Sequence, residues 1–164
     1  MLSPEDLPRF SRLGVIASMQ ASHAIGDLYF APARLGPERL KGAYAWESLA
    51  RSGAVVAGGS DAPVEKGDPL VEFYAAAYRH DLKGFAGPDW GLDEALTRQQ
   101  ALALLTRGPA YASGRETELG LLKVGAPADI SVFSVDLMTA PFPEIAKARA
   151  VMTVVGGRIV HDGR

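Results

Sequence analysis

Two short β-rich segments, separated by helix-forming sequence, restrict what this chain can fold into more than any other feature. Val15-Ile16-Ala17-Ser18-Met19 follows Gly14, and Ala54-Val55-Val56-Ala57-Gly58 is a continuous apolar run bounded by glycines. An apolar run without polar alternation predicts a strand buried on both faces of a parallel sheet. Parallel neighbours require a long crossover, usually a helix. The stretch from Pro37 to Arg51 offers one, with Leu40, Ala43, Tyr44, Leu49 and Ala50 near helical spacing before Ser52-Gly53 stops it. A short helix is expected around Pro4 to Phe10 and another from Leu70 to Arg79. Strand, loop and helix recurring in this order predict an α/β fold.

Gly84, Gly87, Pro88 and Gly91 mark a loop that carries Phe85 and Trp90. Thr97-Arg98-Gln99-Gln100 then matches a capping box, and Ala101, Leu102, Leu104 and Leu105 give the helix behind it an apolar face until Gly108-Pro109. A short helix from Pro109 to Ser113 follows. Beyond Gly120 the pattern changes to β: Ile130 to Val135, then Val151 to Val155 and Arg158 to His161 around Gly156-Gly157, a hairpin with a primed turn. This tail reads as part of a small β domain, with Met138 to Ala150 as a connection.

The 164 residues, 48% hydrophobic, suffice for one core. They fall short of a (β/α)8 barrel, which needs at least about 200 residues. With no cysteine, disulfides and thiolate metal sites are excluded, and a metal would need His, Asp, Glu or backbone oxygen. A net charge of −2 offers no basic field for nucleic acid. No apolar run approaches the roughly 20 residues that span a bilayer, and Met1 to Asp6 carries acids and proline where a signal peptide has basic residues. A cytoplasmic protein without nucleic-acid or membrane partners is expected. No G-x-G-x-x-G, Walker, G-x-S-x-G or H-E-x-x-H pattern supports nucleotide binding or serine or zinc-protease chemistry.

Chemistry-bearing residues gather after the two strands. His23 lies four residues beyond Met19, where parallel α/β folds bind ligands; it reads equally as a loop histidine bonded to backbone. Asp61 follows the most apolar strand in Gly58-Gly59-Ser60-Asp61-Ala62-Pro63. A buried anion there needs a compensating cation, metal or donor; a helix N-cap is the competing reading. His80 suits a helix C-terminus, His161 a solvent-facing hairpin, and Asp129 a turn. Tyr44, Trp46 and Trp90 could line a pocket, although such aromatics more often build core.

Several phrases together resemble the amidohydrolase superfamily, in particular the amidohydrolase family 3 branch that includes N-substituted formamide deformylase-like proteins. They are Leu13 to Gln20, Ser22-His23-Ala24, Arg34 to Arg39, Ala43-Tyr44-Ala45-Trp46, Gly59 to Val64 and Ala128-Asp129-Ile130. The resemblance implies the C-terminal fragment of a metal-dependent hydrolase TIM barrel: its last two βα units within residues 1–118, plus part of the accompanying β-sandwich within 119–164. It implies that Asp61 is the catalytic aspartate after the last strand, a metal ligand and proton shuttle, in the hydrolysis of a non-peptide carbon–nitrogen bond by metal-activated water. His23 becomes a substrate contact and Gln20 a weaker one. A small-molecule amide is the implied substrate and a divalent metal, zinc by preference, the implied cofactor. The family's H-x-H pair, middle-strand ligands and sixth-strand histidine have no counterpart here, and Gly125-Ala126-Pro127 stands where the family has Gly-Lys. An isolated chain is therefore expected to be inactive. The alternative is a non-catalytic module completed by a partner chain or a further copy. A metal-free hydrolase built on His23 and Asp61 lacks a nucleophile beside either residue.

Overall fold

A computed structural model describes residues 1–88 and 90–163. After a 3-10 turn at Pro4–Asp6, helix α1 (Leu7–Leu13) leads into β1 (Ala17–Met19). Helices α2 (Ala21–Asp27), α3 (Ala31–Leu40) and α4 (Trp46–Arg51) carry the chain back to β2 (Val56–Gly58). The strands pair in parallel, Ala17 opposite Val56, Ser18 opposite Ala57 and Met19 opposite Gly58. The Gly59 N–H donates to the Met19 carbonyl at 3.0 Å, so the pairing continues into the loop that leads to Asp61.

The sequence anticipates this crossover but not its interior. Instead of one helix from Pro37 to Arg51, α3 ends at Leu40, and residues 41–45 turn sharply before α4. Tyr44 takes a left-handed conformation, φ 52°, which no helix accommodates. The Gly42 carbonyl leaves the helical pattern to accept the Leu2 N–H at 2.7 Å. Long-range bonding at the chain's beginning thus overrides local periodicity. A second correction concerns β2: only Ala57 is buried, while Val56 and Gly58 are partly exposed. Among the described residues the sheet has two strands, and the helices that pack on β2, α4 and two further ones, leave Val56 and Gly58 only partly covered.

Helix α5 (Pro69–Tyr78) is the hub of the helical layer, and Leu70 and Glu72 to Ala77 are all buried. A helix apolar on nearly all sides belongs inside a fold; α5 packs against α2, α6 (Arg98–Leu105) and α8 (Phe142–Ile145). The capping box opening α6 forms as expected: the Thr97 hydroxyl accepts the Gln100 N–H at 3.2 Å, and the Gln100 side-chain oxygen accepts the Thr97 N–H at 2.8 Å. The next helix, α7 (Arg107–Ala112), starts before Pro109 and packs across β2. Gly108 makes that approach possible, because a Cβ there would lie 2.2 Å from the Val56 carbonyl oxygen.

The tail forms an antiparallel sheet in the order β3 (Ile130–Phe133), β4 (Ala150–Val155), β5 (Arg158–Asp162). Gly156 and Gly157, with φ 55° and 78°, make the expected primed turn. Asp129 accepts the Gly156 N–H at 2.7 Å, in keeping with a turn role. The segment between β3 and β4 is more than a connection. It contains α8, and its Ile145 is fully buried and Leu137 nearly so. Arg98 donates to the carbonyls of Leu137 at 2.6 Å and Ala140 at 2.7 Å, with its guanidinium 4.3 Å from the Phe142 ring centre.

Candidate functional site

The carboxyl ends of β1 and β2 lie side by side, and the loops leaving them meet. From β1, Gln20 occupies the N-cap position of α2 without a side-chain cap bond, and His23 follows in the first turn of that helix. From β2, the chain turns at Asp61, whose carbonyl accepts the Val64 N–H at 2.8 Å. This turn brings Glu65 Oε1 to 3.9 Å from His23 Nε2. Asp61 is exposed, takes a left-handed conformation with φ 57°, and its carboxylate has no hydrogen bond or ion pair among the described residues. His23 Nε2 is enclosed but lacks a hydrogen-bond partner there, as does the Ser22 hydroxyl beside it.

Two expectations for Asp61 need correcting. It is not a buried anion, because the turn carries its side chain into solvent. Nor does it cap a helix: Asp68 caps α5, accepting the Leu70 N–H at 2.9 Å. Among the described residues, no group of three or more His, Cys, Asp or Glu side chains converges as a metal site. Asp61 brings one carboxylate, so the residues present do not hold a metal by themselves. Neither Asp61, His23 nor Gln20 lines the 480 Å³ cavity beside β2, the 290 Å³ groove between α2 and α5, or the 790 Å³ apolar groove between α5, α6 and the tail.

The other end of α5 is closed and largely bonded, with Arg79 Nε and the Trp46 and Trp90 indole nitrogens left without partners among the described residues. Arg79, 2% exposed, lies with its guanidinium 4.7 Å from the Trp46 ring centre and 5.5 Å from that of Trp90. It donates to the carbonyls of Tyr44 at 2.9 Å and Trp90 at 3.2 Å. Burial pushes the guanidinium down to about 10, against the opposing pull of Glu94 and Asp93. The Tyr44 hydroxyl donates to Asp27 at 2.5 Å, and burial together with this bond raises its pKa well above the phenol range. Burial also pushes Asp81 up, but bonds from the Tyr29 hydroxyl and the Phe85 and Lys83 amides outweigh it and hold the carboxyl below its ordinary range. Trp46 and Trp90 are thus core. His80 stacks on Tyr78 with ring centres 3.8 Å apart, and His161 is exposed in β5.

The structure therefore gathers the strand-end residues that sequence singled out and separates them from the other two histidines. Sequence reasoning missed Glu65 and Glu72. Glu72 is 3% exposed and its Oε2 accepts the Ser22 N–H at 3.0 Å. A lone acid in the apolar run Leu70 to Tyr78 was the available signal, since a buried carboxylate requires a specific partner.

Comparison with known proteins gives the family. The profile of the Amidohydrolase family matches residues 1–161. The chain belongs to this family. It is 32% identical over 162 residues to the putative amidohydrolase YtcJ of Bacillus subtilis, covering 99% of this chain and 31% of that protein. It is 30% identical over 115 residues to the N-substituted formamide deformylase of Arthrobacter pascens, covering 70% and 21%. Among solved structures, an uncharacterized metal-dependent hydrolase from Pyrococcus horikoshii superposes with a TM-score of 0.65 at 32% identity, covering 76% of this chain and 25% of that one. The chain thus spans less than a third of the length of each of these relatives. Its own architecture is mixed α/β, and no helix among the described residues is long and apolar enough to cross a membrane.

Proposed function

We propose that this chain forms the C-terminal portion of a metal-dependent amidohydrolase that cleaves a non-peptide carbon–nitrogen bond of a small-molecule amide. Residues 1–118 then supply the last two βα units of a TIM barrel and residues 119–164 part of a β-sandwich. The observation that carries this reading is the Asp61 carboxylate, placed just past β2, open to solvent and bonded to nothing among the described residues. A carboxylate so disposed is free to take a proton from an attacking water and return it to the leaving nitrogen. His23 and Gln20, at the neighbouring strand end, contact the substrate.

A catalytic zinc normally takes three protein ligands. At the mouth this reading assigns Asp61 to the metal and His23 to the substrate, and no three ligand-type side chains converge among the described residues, so the metal, zinc by preference, depends on further groups, and the isolated chain is inactive. The purified chain, supplied with zinc and an N-formyl amine, is expected neither to retain stoichiometric metal nor to release amine. Retained metal and hydrolysis, both lost in Asp61→Ala, would overturn the dependence on outside groups, whereas hydrolysis undiminished in Asp61→Ala would overturn the role of Asp61.

One observation favours a second reading. Among the described residues, β1 and β2 pair only with each other, and unpaired strand edges are templates for added strands. A partner polypeptide or a further copy would then complete the sheet. Size-exclusion chromatography separates the readings: a stable, soluble monomer counts against an obligatory partner.

A further inference from the structure

Helix α2 begins without a cap from its own sequence. Gln20 makes no side-chain cap bond, whereas Asp68 caps α5 and Thr97 caps α6. The first amides of a helix have no partner within it. One partner comes from a different helix: Glu72, in α5, accepts the Ser22 N–H through Oε2 at 3.0 Å, and both residues are at least 96% buried. Burying a carboxylate is costly unless its bonds are well made, and this one is spent on the residue that precedes His23.

Packing alone leaves the first turn of α2 weakly oriented. Ile25, 8% exposed, packs from the second turn, and the first turn itself sets only Ala21 and Ala24 against the core, 1% and 0% exposed. Such small side chains fix how closely α2 lies to its neighbours but resist rotation about its axis poorly, and a helix of seven residues has little stability of its own. The side chains of this turn do not hold it either, since Ser22 Oγ and His23 Nε2 lack hydrogen-bond partners among the described residues. At the far end of α2 Asp27 accepts the Tyr44 hydroxyl; in the first turn the Glu72 bond is the directional contact.

We infer that Glu72 is the positioning residue for His23: by holding the Ser22 amide, it sets the rotation of the first turn of α2 and with it the direction in which the imidazole enters the strand mouth. This role rests on the reading of His23 as a mouth residue that contacts substrate, and it adds the group that keeps the imidazole ready while its Nε2 stays unbonded. Glu65, 3.9 Å from that nitrogen on the facing loop, lies beyond hydrogen-bond reach.

The three histidines make the test selective. In the full 164-residue chain, His80 stacks on Tyr78 at the far end of α5 and reports the integrity of that helix, while His161 in β5 reports the tail. Glu72→Asp keeps the charge but withdraws it by one methylene; Glu72→Gln keeps the length and an acceptor oxygen. In NMR spectra of the imidazole rings, Glu72→Asp is expected to shift the His23 resonances and leave those of His80 and His161 in place. Hydrogen exchange at the Ser22 amide should quicken about tenfold, the value of one lost hydrogen bond. Glu72→Gln should restore both readouts. A His23 signal unmoved in Glu72→Asp, three histidines moving together, or Glu72→Gln behaving like Glu72→Asp would each overturn the assignment. Because no hydrolysis is measured, such a failure leaves the role of Asp61 standing, and a failure of that role leaves this test intact.

Discussion

At the C-terminal end of α5, Arg79 is enclosed between Trp46 and Trp90, and Asp27, Asp81 and Glu94 each hold a donor. Near its N-terminal end, Asp61 stands in solvent and His23 Nε2 lies without a bond among the described residues. The two groups of residues flank the same helix, yet the first spends its carboxylates and the outer nitrogens of Arg79 on locking loops together, although Arg79 Nε and both indole nitrogens lack a partner among the described residues, and the second leaves the Asp61 carboxylate uncommitted. Groups already bonded to protein cannot easily exchange protons with a ligand, and uncommitted ones add little to stability. Folds commonly concede local stability where chemistry is done. In parallel α/β architecture that place is the carboxyl end of the strands, and the opposite face serves stability.

The contrast breaks first, if it is wrong, at Trp46. Removing this 1% exposed ring in Trp46→Ala leaves a large cavity beside Arg79 and should cost about 3–5 kcal/mol in chemical denaturation. A small loss would mean that the Arg79 end is not where stability resides.

Tyr29→Phe should have an intermediate effect, visible in its pH dependence. The Asp81 carboxyl is held below its ordinary range, so its bonds stabilise the fold above the unfolded aspartate pKa of about 3.9 and are lost as pH falls through the lower folded value. Without the Tyr29 hydroxyl the folded pKa rises and that loss begins at higher pH. An acid titration followed by tryptophan fluorescence should therefore show an earlier transition in the variant. An unchanged midpoint would remove Tyr29 from the network.

The smallest effect belongs to the mouth. Asp61→Asn, at an exposed position whose left-handed backbone asparagine tolerates, should change stability by no more than about 0.5 kcal/mol. A clear destabilisation would show that Asp61 is a structural residue and would erase the difference between the two regions.

The elements that sequence reveals here are those whose signals are local. The hairpin at Gly156-Gly157 and the capping box at Thr97 are encoded within a few residues, and both form as expected. The parallel pair is legible because each strand is an apolar run next to glycine. The break between α3 and α4 is not, because the Leu2 bond to Gly42 comes from the other end of a long stretch of chain. The burial of Ile145 is hidden for a similar reason: residues 138–150 read as a connection until Arg98 is seen to hold them against α6 and α5. At the site, Asp61 and His23 are legible as residue types after strands. Asp61's exposure is not, since a turn within residues 61–64 decides it, and Glu72 becomes meaningful only once α5 and α2 are packed together.

The parallel pairing of β1 and β2 also imposes an order of events. Ala17 and Val56 are about 40 residues apart, so the β1–β2 pairing cannot form until everything between them has been synthesised. Closing so long a stretch costs chain entropy before any pairing bond repays it. On a ribosome, α2 emerges before β2, α5 arrives after β2 to pack against α2, and the Gly108 contact seals β2 later still. The residues that define the mouth are thus made early and positioned late: His23 leaves the ribosome well before Glu72, the group that aims it, exists.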